Sequence, residues 1–230
     1  MGAEELARLG QRFDHPGVVA IALLGSHARG DPNPYSDVDL LCLAAGAPAR
    51  SDSGSHLVEG RLVVVTDAAP SDVEGWFEEP ELALANIPGL RGGRALRDRD
   101  AVFAELQARA RCFVWDAAMQ AKADRYASRA LVGWAEEVHK ALAGLSSGDP
   151  SKLLDAEFGL SWGLNRLVQV QRGVPLAAPS GASAGWFDAV EQAVGPDSDW
   201  ARTRRLAFGL ARSPHGPAPT LRERVVAGLR

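Results

Sequence analysis

"LLGSHARGDPNPYSDVDLLCL", residues 23–43, decides how the chain is read. An apolar run ends at Gly25-Ser26, a polar loop with two prolines follows, and the chain returns with Asp37 and Asp39 flanking Val38. The preceding "VVAIALL" (18–24) is short and rich in β-branched residues, which predicts a buried strand. "DVDLLCL" predicts a second strand, whose alternation puts Asp37 and Asp39 on one face and Val38 on the other. Two carboxylates that close raise one another's pKa unless a cation intervenes. Mg²⁺ suits such a hard-oxygen pair, because it keeps several waters and shares its other positions with phosphate oxygens. Gly25 lets backbone approach a ligand closely, and the following turn with the Ser26 hydroxyl makes a concavity for anions. Arg29 would add positive charge near the same phosphates.

Working outward, residues 3–13 have Leu6, Leu9 and Phe13 at helical spacing, and "HPG" (15–17) breaks that helix. "SHLVEGRLVVVT" (55–66) predicts a hairpin turning near Glu59-Gly60. Ser71 and Glu74 stand in the capping-box relation, marking a helix start. "PELALANI" (80–87) continues helically, and "GLRGGRAL" (89–96) predicts a turn and a short edge strand. Residues 99–145 read as helix with one break near 115. "SSGDPSK" then opens another helix, which Gly173 closes. Two or three shorter helices follow, separated by "VPLAAPSGAS", "GPDSD" and "SPHGPAP". The expectation is an α+β chain: a small mixed β-sheet flanked by helices over residues 1–115, then a helical bundle over 116–230.

Composition narrows the function classes. The chain has 230 residues and a formal charge of −4, with no basic stripe, so no nucleic-acid partner is expected. Cys42 and Cys112 are too few for a disulfide framework or a structural zinc site, and the five histidines have no ligand spacing. The N-terminus reads as an acidic amphipathic helix, not a signal peptide, and no apolar run nears the ~20 residues needed to cross a bilayer. A cytoplasmic protein is the expectation, and the sequence leaves a homodimer open.

An apolar residue, Gly25-Ser26, ten further residues and then Asp-apolar-Asp-apolar resembles the signature of the DNA polymerase β-like nucleotidyltransferase superfamily. "GSHARG…SDVDL" is particularly similar to its small bacterial members: aminoglycoside and lincosamide nucleotidyltransferases, and the minimal nucleotidyltransferases of toxin–antitoxin pairs. The resemblance implies a triphosphate held by Gly25 and Ser26, and Mg²⁺ held by Asp37 and Asp39. It implies transfer of a nucleoside monophosphate, AMP from ATP being the expected case, to a hydroxyl of a small molecule such as an aminoglycoside-like antibiotic, with release of pyrophosphate. The acceptor would sit in a cleft between the two halves. An antitoxin-type enzyme modifying a partner protein and a nucleotide-binding module without catalysis are the alternatives.

Many members of that superfamily add a third carboxylate. The strand "RLVVVT" has none inside it, which leaves Glu59 at the hairpin turn and Asp67 past the strand end as catalytic candidates. Glu136, Glu137, Asp155 and Glu157 are the alternatives in the helical half. Arginines of "LRGGRALRDRD" (90–100) could meet phosphates, Tyr35 could act as a pocket lid, and Trp162, Trp186 and Trp200 could stack on a base or acceptor. A solvated edge, a loop aromatic and core packing are the plainer readings of each.

Overall fold

The computed structural model describes residues 2–46, 52–175, 186–207, 217 and 219–228. The segments "VPLAAPSGAS" and "SPHGPAP" and the Trp186 side chain lie largely or wholly outside those residues. Contacts group the chain into two compact units, one running to Trp115 and another beginning at Asp116.

The first unit is built on a five-stranded mixed sheet in the order β3-β4-β2-β1-β5. Its strands are β1 (Val18–Leu23), β2 (Val38–Ala44), β3 (Gly54–Val58), β4 (Arg61–Ala68) and β5 (Arg94–Asp98). The three inner strands carry the apolar runs because both their faces are covered. On one face α1 (Ala3–Arg12) lays Leu6 and Leu9, with Phe13 just beyond, on Ile21, Leu23, Val38, Leu40, Val63 and Val65. On the other, α3 (Pro70–Glu78), α4 (Pro80–Gly92) and α5 (Val102–Cys112) bury Trp76, Ile87, Leu90 and Phe103 against Ala20, Ala22, Leu41 and Leu43. Edge strands β3 and β5 are largely exposed, as strands with one free side should be.

Pairing is antiparallel except between β2 and β4, which run parallel with Asp39 opposite Val64 and Cys42 opposite Asp67. That register assigns every β4 side chain to a face. Val63, Val65 and Asp67 share the α1 side with Val38, whereas Val64 and Thr66 share the opposite side with Asp39.

Two helix boundaries differ from the sequence expectation. α3 starts one residue before Ser71: Pro70 takes the first helical position and the Asp72 carboxylate accepts the Ala69 N–H at 2.8 Å, so Ser71 is not the cap. The long helical stretch breaks twice, into α5, α6 (Ala117–Gly133) and α7 (Ala135–Ser147), the second time at Trp134. The indole of Trp134 lies where a Cβ on Gly163 would be, so the break coincides with a tertiary contact that glycine admits.

The second unit contains α6, α7, α8 (Pro150–Gln171), α9 (Trp186–Val194), α10 (Asp199–Ala207) and α11 (Leu221–Gly228). The Asp149 carboxylate caps α8 by accepting the Ser151 N–H at 2.9 Å, and Gly173 follows its end at φ +63. Ala141, Leu153, Ala156, Leu160 and Val225 form its main apolar cluster. No helix among the described residues is long and apolar enough to cross a membrane.

Candidate active site

At the end of β1 the chain turns into a five-residue helix, α2 (Gly25–Arg29), and leaves it through Gly30 at φ +84. The Leu24 N–H donates to the Asp39 carbonyl at 2.9 Å, which ties the start of α2 to β2. Gly25 takes φ +65, a conformation that L side chains resist. A Cβ there would overlap Asp39 Oδ2 and lie 3.1 Å from Asp39 Cγ. The Asp39 carboxylate is thus pressed against the Gly25 backbone, and only glycine satisfies both the dihedral and the space. Ser26 is the next residue, half-buried, and its carbonyl accepts the Gly30 and Asp31 N–H groups at 2.9 and 3.1 Å.

Asp37 sits immediately before β2, half-buried, while Val38 is fully buried on the α1 side. Burial holds the Asp39 carboxyl above its usual range, and the neighbouring Asp37 charge pushes it the same way. Arg29 and His27 pull it down without cancelling the rise. Arg29 is itself engaged with Asp31, Nε to Oδ2 and Nη2 to Oδ1 at 3.3 Å each. A cation between the two acids would offset both burial and repulsion, and two hard oxygen donors beside a glycine corner fit Mg²⁺. Among the described residues no group of three or more His, Cys, Asp or Glu could hold a metal. Asp37 and Asp39 would supply oxygen donors, which suits an ion that keeps waters or binds phosphate oxygens. His27, three residues before Gly30 in "GSHARG", is the contributor that sequence reading passed over; its place between Ser26 and Arg29 was the available signal.

The remaining candidates lie elsewhere. Glu59, in the β3–β4 turn at φ +51, borders a small cavity on the α1 side with Arg8, Arg12 and Arg61. Asp67 is on the Val38 face and three residues further along β4 than Val64, roughly 10 Å at strand rise. Its carboxylate accepts the Asp52 and Ser53 N–H groups at 2.6 and 3.0 Å. Beside Asp39 on β4 stands Val64, with Ser55 beyond it on β3. Within the second unit Lys140 draws Glu136, Glu137 and Asp155 to 3.4, 2.9 and 3.5 Å, and Glu157 faces Arg224 at 3.1 Å.

Three of the four arginines of 90–100 have structural partners: Arg91 donates to the Ala110 and Phe113 carbonyls, and Arg97 and Arg99 pair with Asp14. Tyr35 is 95% exposed, held outward by a turn in which Asn33 and Ser36 bond each other's backbone. Trp162 is largely exposed on α8, and Trp200 lies 5.3 Å from the Arg204 guanidinium on α10. Burial pushes the Cys42 thiol up to about 12, which makes it inert.

Residues 4–88 match the model of the nucleotidyltransferase domain family, a span that takes in α1 through most of α4 and the whole glycine–aspartate corner. The first unit thus contains a polymerase β-like nucleotidyltransferase domain. The crystal structure of a nucleotidyltransferase-like protein from Exiguobacterium sibiricum 255-15 is similar, with a TM-score of 0.51 at 16% identity, over 99% of this chain and 72% of that one. At that identity the likeness is one of fold. No curated protein matches the chain.

Proposed function

We propose that the chain is a Mg²⁺-dependent nucleotidyltransferase that moves a nucleoside monophosphate, AMP from ATP, to a hydroxyl of a small molecule and releases pyrophosphate. Asp37 and Asp39 hold the metal, Gly25 and Ser26 receive the triphosphate, and Arg29 adds positive charge beside it. Residues 1–115 carry the transfer chemistry and residues 116–230 serve the acceptor. The observation that supports this most is the Asp39 carboxylate, packed on Gly25 at positive φ with its pKa raised by burial and by Asp37. A protein that keeps two acids in that condition, with Arg29 and His27 only partly offsetting the rise, has a place for a mobile cation. A metal there would hold the triphosphate, polarise its phosphorus and neutralise the departing pyrophosphate.

A second reading, a nucleotide-binding module that lacks transfer, is favoured by one feature. Val64 occupies the strand position next to Asp39, and no third acid joins the pair among the described residues. A general base commonly adds about 10²–10⁴-fold to rate. Calorimetric titration of ATP with and without Mg²⁺, followed by assay of pyrophosphate release against a panel of hydroxyl-bearing small molecules, tests both. Mg²⁺-dependent binding that is lost in Asp39→Asn supports the site. Unaltered binding in that variant overturns it, and binding without pyrophosphate release selects the second reading.

A further inference from the structure

The second unit holds a cavity of about 410 Å³ lined by α6, α8, α10 and α11. Its walls are mostly aliphatic, Leu131, Leu160, Leu164 and Val225 among them. That volume lies within the range of small-molecule pockets. One amide in it is unbalanced. Asn165, on α8 and only 2% exposed, lines the cavity, and its Oδ1 accepts the Arg204 Nε–H at 2.9 Å. Because Arg204 can only donate, that bond fixes which amide atom is oxygen. Asn165 Nδ2 is left buried without a hydrogen-bond partner. A buried donor in that state is costly to the fold and is usually satisfied by something.

Both arginines of the cavity have carboxylate partners. Arg204 meets Glu191 at 3.2 Å, and Arg224 meets Glu157 at 3.1 Å. A ligand there needs no net charge, and a polycation would find two guanidinium groups and few acceptors. We propose that this cavity binds an uncharged, mostly apolar small molecule through a carbonyl or hydroxyl oxygen that accepts from Asn165 Nδ2. No lining residue of the cavity belongs to the unit that carries the aspartate pair, and the proposal stands whether or not that pair transfers a nucleotide.

Nile red, uncharged, largely apolar and carrying a ring carbonyl, is a suitable probe for the full chain. Its emission should rise saturably at one site per chain, and spermine should not displace it. Asn165→Asp keeps an oxygen for Arg204 and removes the donor, so the probe should bind at least about tenfold more weakly while the circular dichroism stays native. Ser161→Trp, which fills the cavity from its wall, should abolish binding by a route that does not touch the Arg204 bond. Phe158→Ser, on the exposed side of α8, should leave binding unchanged. The proposal is overturned if the probe does not bind the wild-type chain at one site. It also fails if Asn165→Asp and Ser161→Trp both bind as wild type, or if Phe158→Ser alone removes binding.

Discussion

Two clusters of carboxylates in this chain are built on opposite terms. Around Lys140, Glu136, Glu137 and Asp155 converge on one ammonium group, and the lysine pKa is raised chiefly by its hydrogen bond to Glu137. At the Gly25 corner, Asp39 has a second carboxylate for a neighbour, and its nearest guanidinium, Arg29, is shared with Asp31. Arg29 and His27 lessen the imbalance, yet the Asp39 carboxyl remains above its usual range. The first cluster is complete as folded. The second is short of positive charge, and that shortage is what supports its proposed role as a metal and triphosphate site, in contrast to a helix surface tied together by ion pairs.

The sharpest way to break this contrast is Asp39→Asn. Mg²⁺-dependent ATP binding and pyrophosphate release should fall by at least about 100-fold, since the variant loses a proposed metal ligand. The ligand-free variant should nevertheless melt at a higher temperature than wild type at neutral pH. In the fold Asp39 holds its proton to higher pH than in the unfolded chain, so the native state binds more protons in the window between the two pKa values. Stability therefore falls as pH rises through that window, and the cost is fully present above it. Asparagine removes that cost. Mg²⁺ competes with the same proton, so its affinity in wild type should increase with pH until Asp39 is fully ionised. Thermal melts with and without Mg²⁺ between pH 4 and pH 8 would show both trends, and a lower melting point for the ligand-free variant would contradict the assignment of strain to this carboxylate.

Gly25→Ala should come next. The methyl group enters space held by the Asp39 carboxylate, and the residue must keep a left-handed conformation. A loss of about 1–3 kcal/mol in stability is expected. ATP binding should weaken at least about tenfold, because Asp39 has to move. Native stability in this variant would mean the corner is slack. Lys140→Met probes the other cluster and should do less: a modest fall in melting temperature, reduced at high salt, with Mg²⁺-dependent ATP binding unchanged.

Much of this contrast was legible before any coordinates. "VVAIALL" and "DVDLLCL" are nearly continuous apolar runs because both faces of β1 and β2 are covered, and the hairpin turned where Glu59-Gly60 placed it. The motif and its resemblance grouped Gly25 with Asp39, and the fold packs the two together. Other features depended on partners that a single chain segment does not display. The break at Trp134 coincides with its packing on Gly163, and Pro70 opens α3 in place of Ser71, with Asp72 accepting the Ala69 N–H. The faces of Glu59 and Asp67 depended on the β2–β4 register, since a shift of one residue exchanges the two sides of a strand. Asn165, in the middle of a helical apolar pattern, showed no sign of its unpaired amide, because Arg204 lies far along the chain.

Glu59→Gln is the smallest expected effect and sharpens the contrast from the side of the candidates that the fold disperses. Glu59 is an exposed turn residue beside Arg8, Arg12 and Arg61, on the sheet face opposite Asp39. Its charge can interact with those arginines through solvent but has no strand face in common with the glycine corner. Gln keeps the side-chain length and removes only the charge. ATP binding and pyrophosphate release should stay within about twofold of wild type, the ordinary range for a surface substitution away from a site. Parallel measurement in Asp39→Asn provides the scale. If Glu59→Gln instead reduced pyrophosphate release to the level of Asp39→Asn while leaving ATP binding intact, the turn would have to reach the corner during turnover, and the two sheet faces could not be treated as chemically separate.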